Sequence, residues 1–293
     1  MKSLRLPSIV LASTVVLVIV TVSVHAADSD WQKTYHVSAK PSITATTGDA
    51  STEVRPCGDC REIRIRVEWN DRKASDYTIS EFQSGDHVNF ELREKHGFGI
   101  HVNIGNRREP YVTIETPSTV DLETRTADGG LKVSGVNGNL KLNTSDGSLE
   151  VADVQGALHL ISSDGAIHVH NAAGTLESRS SDGKVRIDGR FTGVQVHTSD
   201  GSLDLTLAEG SQLTTASRIE TSDGNVSLHL PHSLAIDLEA RAGDGHVECK
   251  LPLQLQGYDS RSEASHGIRG KLNGGGVSLA IHTHDGNAMI DAL

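Results

Sequence analysis

Large side chains are scarce in this sequence. Phe, Tyr and Trp together make up 3% of its 293 residues, and there are two Met. A core built on stacked rings is therefore excluded, and something regular must take its place. Three cysteines are too few for a disulfide-stapled scaffold. Beyond residue 24 no apolar run is long enough to span a bilayer. Basic charge is short as well: the net charge is −11, and from Thr116 onward 23 acidic residues face 13 basic ones. No basic stripe appears, which excludes nucleic acid as a partner. An acidic surface of this kind mainly gives solubility.

What is present begins with MKSLRLPSIVLASTVVLVIVTVSVHA. Lys2 and Arg5 precede an apolar run over residues 9–24, and Val24-His25-Ala26 leads into the polar ADSD. This is the three-part plan of a secretory signal over residues 1–26, with cleavage after Ala26. The run is also long enough to stay as an uncleaved membrane anchor, the only membrane contact the sequence offers. No Cys stands at the cleavage point to carry a lipid. The expectation is an exported chain, in the periplasm, cell envelope or cell surface.

Export bears on Cys57-Gly58-Asp59-Cys60, because disulfides persist in such compartments. A redox-active C-x-x-C needs a helix start, whereas REIRIRVEW follows at once, with Ile63, Ile65, Val67 and Trp69 alternating with polar residues. Cys57 and Cys60 thus read as a small disulfide or two free thiols at a strand entrance. No second ligand pair has zinc spacing. Cys249 alternates with Val247 and Leu251 and reads as a buried apolar residue.

The middle of the chain is a repeat. Glycines stand at 129, 138, 147, 156, 165, 174 and 183, nine apart, then at 193, 201 and 210 with slight slippage. Between them lie alternating apolar pairs such as Leu140/Leu142, Leu149/Val151, Leu158/Leu160 and Ile167/Val169, so each unit is a short strand and a turn. The turns alternate between TSDG-like and VNGN-like forms, which makes the true unit eighteen residues with two strands. An antiparallel meander fits this pattern, but it leaves an apolar face uncovered; a β-solenoid, a parallel β-helix-like stack of about 18 to 21 residues per coil, buries its own. Stacking at eighteen-residue steps aligns Lys132, Glu150, His168, Arg186 and Asp204 in one outward column, and Lys141, His159, Glu177 and Gln195 in another. Neither column sets like charges side by side, as neighbours about 4.8 Å apart require.

The run YVTIETPSTVDLETRTADGGLKVSGVNGNLKLNTSDGSLEV, the recurring TSDG turns and the closing RGKLNGGGVSLAIHTHDGNAMI resemble the bacterial exported β-strand-repeat putative adhesin family, a domain of unknown function. The resemblance runs from about residue 35 to the end and is clearest over 111–230. It implies a β-solenoid in the cell envelope and carries over no catalytic residue. The CGDC pair departs from the family pattern.

Residues 27–115 differ in composition, holding eight of the ten aromatic residues, yet Val88/Phe90/Leu92 and Ile100/Val102/Ile104 still alternate and QSGDH suggests a hairpin. They read as irregular first coils and a cap, with regular repeats over 116–293.

Four functions are open. A non-enzymatic envelope or surface module, binding or structural and adhesin-like, with an envelope protein or surface polymer as partner, needs no special residues and no cofactor. A polysaccharide-acting β-helix enzyme needs paired carboxylates in a cleft, and these turns are too short to build one. Calcium could sit along Asp128, Asp146, Asp164, Asp182 and Asp200, although one Asp per turn falls short of six to eight oxygens. Outward histidines, His159, His168, His197, His229, His282 and His284, could sense pH. Exposed rings, the usual sugar platforms, are nearly absent from the repeats, which favours a protein partner or a scaffold role.

Overall fold

The computed structural model describes residues 30–38, 40–95, 108–255 and 266–293. The expected signal or anchor, the Ile100/Val102/Ile104 strand, Phe98 and Tyr258 lie outside them. The described chain is all-β, with 23 strands in one mixed, nearly closed, solenoid-like sheet.

The sheet folds into two walls. In the repeats the first wall stacks Asp121–Arg125, Asn137–Thr144 and Gln155–Ser162, and the second stacks Leu131–Ser134 and Leu149–Ala152. Two fourteen-residue strands, Ile167–Ser180 and Val185–Thr198, run through the corner and serve both walls. Pairing here is parallel throughout, so the antiparallel meander falls. The register explains why the columns could be read from sequence. Leu122, Leu140, Leu158, Leu176 and Val194 stand in line, as do Leu131, Leu149, Ile167, Val185 and Leu203. These residues are at most 2% exposed. Each fully buried aliphatic side chain is worth about 1.5–3 kcal/mol, which is how a core of small residues replaces rings. Phe191 is buried too, rather than available to a ligand.

The stack is not in chain order at either end. Strands Ser42–Thr46 and Ser51–Pro56 slot between His87–Glu94/Tyr111–Thr116 on one side and Asp121–Arg125/Leu131–Ser134 on the other, parallel to both. At the far end Val277–Thr283 and Ala288–Ala292 slot between Ser217–Thr221/Val226–Leu230 and Ile236–Ala242/Val247–Cys249. Antiparallel strands finish both ends: Tyr77–Ser84 with His87–Glu94 through the expected hairpin, Trp31–His36 with Glu62–Glu68, and Gly267–Leu272 with Ile236–Ala242.

The Asp-Gly corners owe their glycine to stacking. A Cβ on Gly129, Gly147, Gly165, Gly183, Gly201, Gly224, Gly286 or Gly245 would lie 1.9–2.2 Å from the carbonyl oxygen of the corner beneath. None of these eight has a left-handed φ, contrary to the usual reason for glycine in such a turn. The other corners do need it: Gly138, Gly156 and Gly174 have φ of 144°, 133° and 125°. At the Asp-Gly corner three successive N–H groups, of Ser163, Asp164 and Gly165, converge on the Ser145 carbonyl at 3.2, 3.0 and 3.3 Å. The preceding corner repeats this on Ala127. The first residue of the motif turns inward: Ser162 Oγ donates to the Gly165 carbonyl at 2.7 Å, and Thr144 Oγ1 to that of Gly147 at 3.1 Å. The hydroxyl, not the Asp carboxylate, closes the corner.

Candidate binding faces

With interior positions occupied by core and ladder, the chemistry available to a partner lies on the outward columns. On the second wall Lys132, Glu150, His168, Arg186 and Asp204 are successive register partners, and Arg186 Nε donates to Asp204 Oδ2 at 3.2 Å. The adjacent column runs Ser134, Ala152, His170, with Asp188 Oδ1 3.5 Å from His170 Nδ1. The small Ala152 leaves a groove of about 370 Å³ between the columns, with Val151, Val169 and Ile187 reaching its lining. Cationic and anionic side chains share its rim, so it suits a partner with charges of both signs rather than a simple ion.

The first wall has the matching pattern. Lys141, His159, Glu177 and Gln195 are in register, and His159 Nδ1 lies 3.0 Å from Glu177 Oε2. Beside them Ile161 is 41% exposed between Asn143 and Arg179. A third polar hollow, of about 360 Å³, lies over the N-terminal end of the second wall. There Glu115 receives Arg55 Nη2 and Arg64 Nη1, each at 2.8 Å, and the Arg55 hydrogen bond, then the two guanidinium charges, hold its carboxyl below the usual range. At the same end Tyr35 donates to Glu81 at 3.0 Å, and burial, with the Glu81 charge behind it, pushes the phenol well above its ordinary value.

The Asp residues of the alternative calcium reading stay spread along the corners. Asp128, Asp146, Asp164, Asp182 and Asp200 are all exposed, one per corner. Among the described residues no three His, Cys, Asp or Glu side chains converge as metal ligands. In the inserted first coil burial and then the Asp128 charge raise the Asp49 carboxyl. The histidines pair outward, His197 Nδ1 3.9 Å from Glu220 Oε2 and His229 between Asp204 (3.6 Å) and Asp291 (2.5 Å). The His229–Asp291 contact escaped sequence reasoning because 62 residues separate the pair, far from any eighteen-residue step. Cys57 and Cys60 stand together, their Cα atoms 5.8 Å apart, within the span of a disulfide. Cys249 is half-buried, and burial raises its thiol.

Among the described residues no helix is long and apolar enough to cross a membrane. The family model described as Toastrack DUF4097 matches residues 21–291. No curated protein matches the chain. Among solved structures it is similar to a putative adhesin from Parabacteroides merdae, with 11% identity, TM-score 0.48, 89% of this chain and 95% of that one covered. A putative adhesin from Bacteroides fragilis has 10% identity, TM-score 0.40 and coverage of 91% and 98%. A putative lipid binding protein from Parabacteroides distasonis has 13% identity, TM-score 0.42 and coverage of 89% and 96%.

Proposed function

We propose, from the premise that the chain belongs to the Toastrack DUF4097 family, that it is a non-enzymatic binding module of the cell envelope whose outward columns engage a protein or surface polymer. The observation that carries this reading is the groove over Lys132, Glu150, His168 and Arg186, where four coils present side chains of both charge signs in a fixed line. Electrostatic complementarity of this sort sets partner choice and orientation. The corners support the same reading from the other side. They are tied by backbone bonds and stacked glycines, and among the described residues they grow no long loops that could enclose a substrate over paired carboxylates. A calcium role draws no support from the exposed single Asp per corner.

Export follows from residues 1–26 as a secretory signal or a retained anchor. In an oxidising compartment Cys57 and Cys60 form a disulfide that pins the entrance of the Glu62–Glu68 strand. The coils repeat at about 18 to 21 residues, with residues 27–115 as irregular first coils and cap and 116–293 as the repeats. The test uses the exported chain as bait on envelope extract, beside a Lys132→Glu/Arg186→Glu variant with an unchanged circular dichroism melt. A partner held by the wild type and lost by the variant supports the reading. A partner held equally by both, or none across repeated extracts, overturns it.

A further inference from the structure

The coil over residues 277–292 is held on both sides by parts of the chain that precede it. Its first strand pairs in parallel with Ser217–Thr221 and with Ile236–Ala242; its second pairs with Val226–Leu230 and with Val247–Cys249. Both flanks meet it in one register. Leu279 stands opposite Ser217 and Leu238, Ile281 opposite Ile219 and Ala240, and Ala288 opposite Val226 and Val247. The corner ladder passes through the slot in the same way, Gly245 over Gly286 over Gly224. Coils 217–230 and 236–249 therefore match each other without the inserted coil, and each offers it a complete edge.

An arch over residues 273–276 leads into the inserted coil. Asn273, Gly274 and Gly275 have φ of 51°, 89° and 87°, and the arch crosses the end of Ile236–Ala242 to bring Val277 to Ile236 from Leu272 on the opposite edge. Asn273 Nδ2 donates to the His232 and Leu234 carbonyls at 2.8 Å each, and Gly276 N–H to Asp237 Oδ1 at 3.1 Å. Three consecutive positive φ values make this short link a tight turn, which Gly274 and Gly275 adopt without steric cost and Asn273 more readily than other side chains. Everything else that holds the coil is pairing and packing that an identical coil from another molecule reproduces contact for contact.

We propose that this slot is exchangeable: it takes residues 277–292 of a second copy of the chain, giving a reciprocal dimer in which the arch opens and every strand pairing is kept. Exchange of an identical element is a low-cost route to dimers, and a tight hinge favours it. The partner is a second copy because the slot demands two strands in register with both flanks, an inward Leu, Ile, Ala and Ile, and a corner glycine between them.

The test places Ser227→Cys and Met289→Cys in the full chain with Cys249→Ser. These positions are in-register neighbours on parallel strands, at a separation of about 4.8 Å that a disulfide can bridge. The chain is refolded at low and high concentration, oxidised and run on a non-reducing gel. A closed molecule locks within itself and runs as a monomer; exchanged copies lock to each other and run as a dimer. A covalent dimer fraction that rises with concentration, beyond that of either single-cysteine variant, is the expected result. Monomer alone at every concentration, or a dimer fraction equalled by Met289→Cys alone, overturns the proposal. Gly275→Val gives a second reading, because residue 275 has a φ of 87°, at which a branched side chain is strained in the closed arch. The variant is expected to elute mainly as a dimer by light scattering. A folded monomer counts against exchange, and if the variant does not fold the cross-linking result decides.

Discussion

Gly165→Ala separates a steric account of the Asp-Gly corner from a conformational one. The new Cβ would lie 1.9 Å from the Gly147 oxygen, 2.7 Å from its carbon and 3.0 Å from the Asp146 oxygen. Since the obstacle is backbone in a neighbouring coil, the two corners must part by more than about 1 Å to reach ordinary van der Waals contact. That displacement breaks or stretches three hydrogen bonds onto the Ser145 carbonyl. At about 0.5–1.5 kcal/mol net for each, the loss is about 1.5–4.5 kcal/mol. Gly130→Ala is the control: its Cβ meets nothing nearer than Ser148 Oγ at 3.5 Å, and it should stay within about 0.5 kcal/mol. Urea unfolding followed by circular dichroism, compared as midpoints, reads both. Because Gly165 is not left-handed, Gly165→Val should cost little more than Gly165→Ala. Equal midpoints for Gly165→Ala and Gly130→Ala would refute the stacked-carbonyl explanation.

Leu158→Asp buries a charge at a site 1% exposed and should abolish cooperative melting, while His159→Gln, on the outward column, should change stability by about 0.5 kcal/mol or less. Excess calcium should leave the melting temperature unchanged; a rise that Asp164→Asn and Asp182→Asn together remove would make the corner a metal ladder. Glu115 has a folded pKa below its unfolded one, so its stabilisation is present above about pH 4.3 and is lost as the pH falls through the folded value. The stability gap between wild type and Glu115→Gln should accordingly close on acidification, and a gap that widens below that pH would reverse the assignment.

Much of the fold was legible because the repeat makes sequence spacing equal spatial spacing. From Leu122 to Val194 each core residue stacks on the one eighteen positions away, so periodicity, the buried face and both charged columns could be read together. That equality breaks beyond Leu203, whose next partner is Val226, and fails at Val226, whose partner is Ala288. A coil inserted out of order keeps the same local pattern as one in order, since Thr283-His284-Asp285-Gly286 is as good a corner as Thr221-Ser222-Asp223-Gly224. Sequence pattern carries no label for stacking order. Nor does it tell why the corner glycine is there, because a turn signal and a close approach select the same residue. Salt bridges such as Arg64–Glu115 join strands whose pairing depends on the irregular cap, where no spacing rule applies.

The division of labour between inward and outward positions bears directly on what such a scaffold can recognise. Inward residues answer to the core, and corner glycines to the carbonyl beneath; neither can vary without loss of stability. An outward residue answers only to its two column neighbours, which need avoid no more than a like charge about 4.8 Å away. His168 between Glu150 and Arg186, or His159 between Lys141 and Glu177, meets that condition, and so would many other residues. The faces can therefore change from coil to coil while the stack stays as it is. A partner reading them meets a linear pattern of charge with little relief, and its affinity must be built from several coils at once. Reversing one column position should then weaken binding partially, while reversing Lys132 and Arg186 together should remove it, because they are the lysine and the arginine that line the same groove.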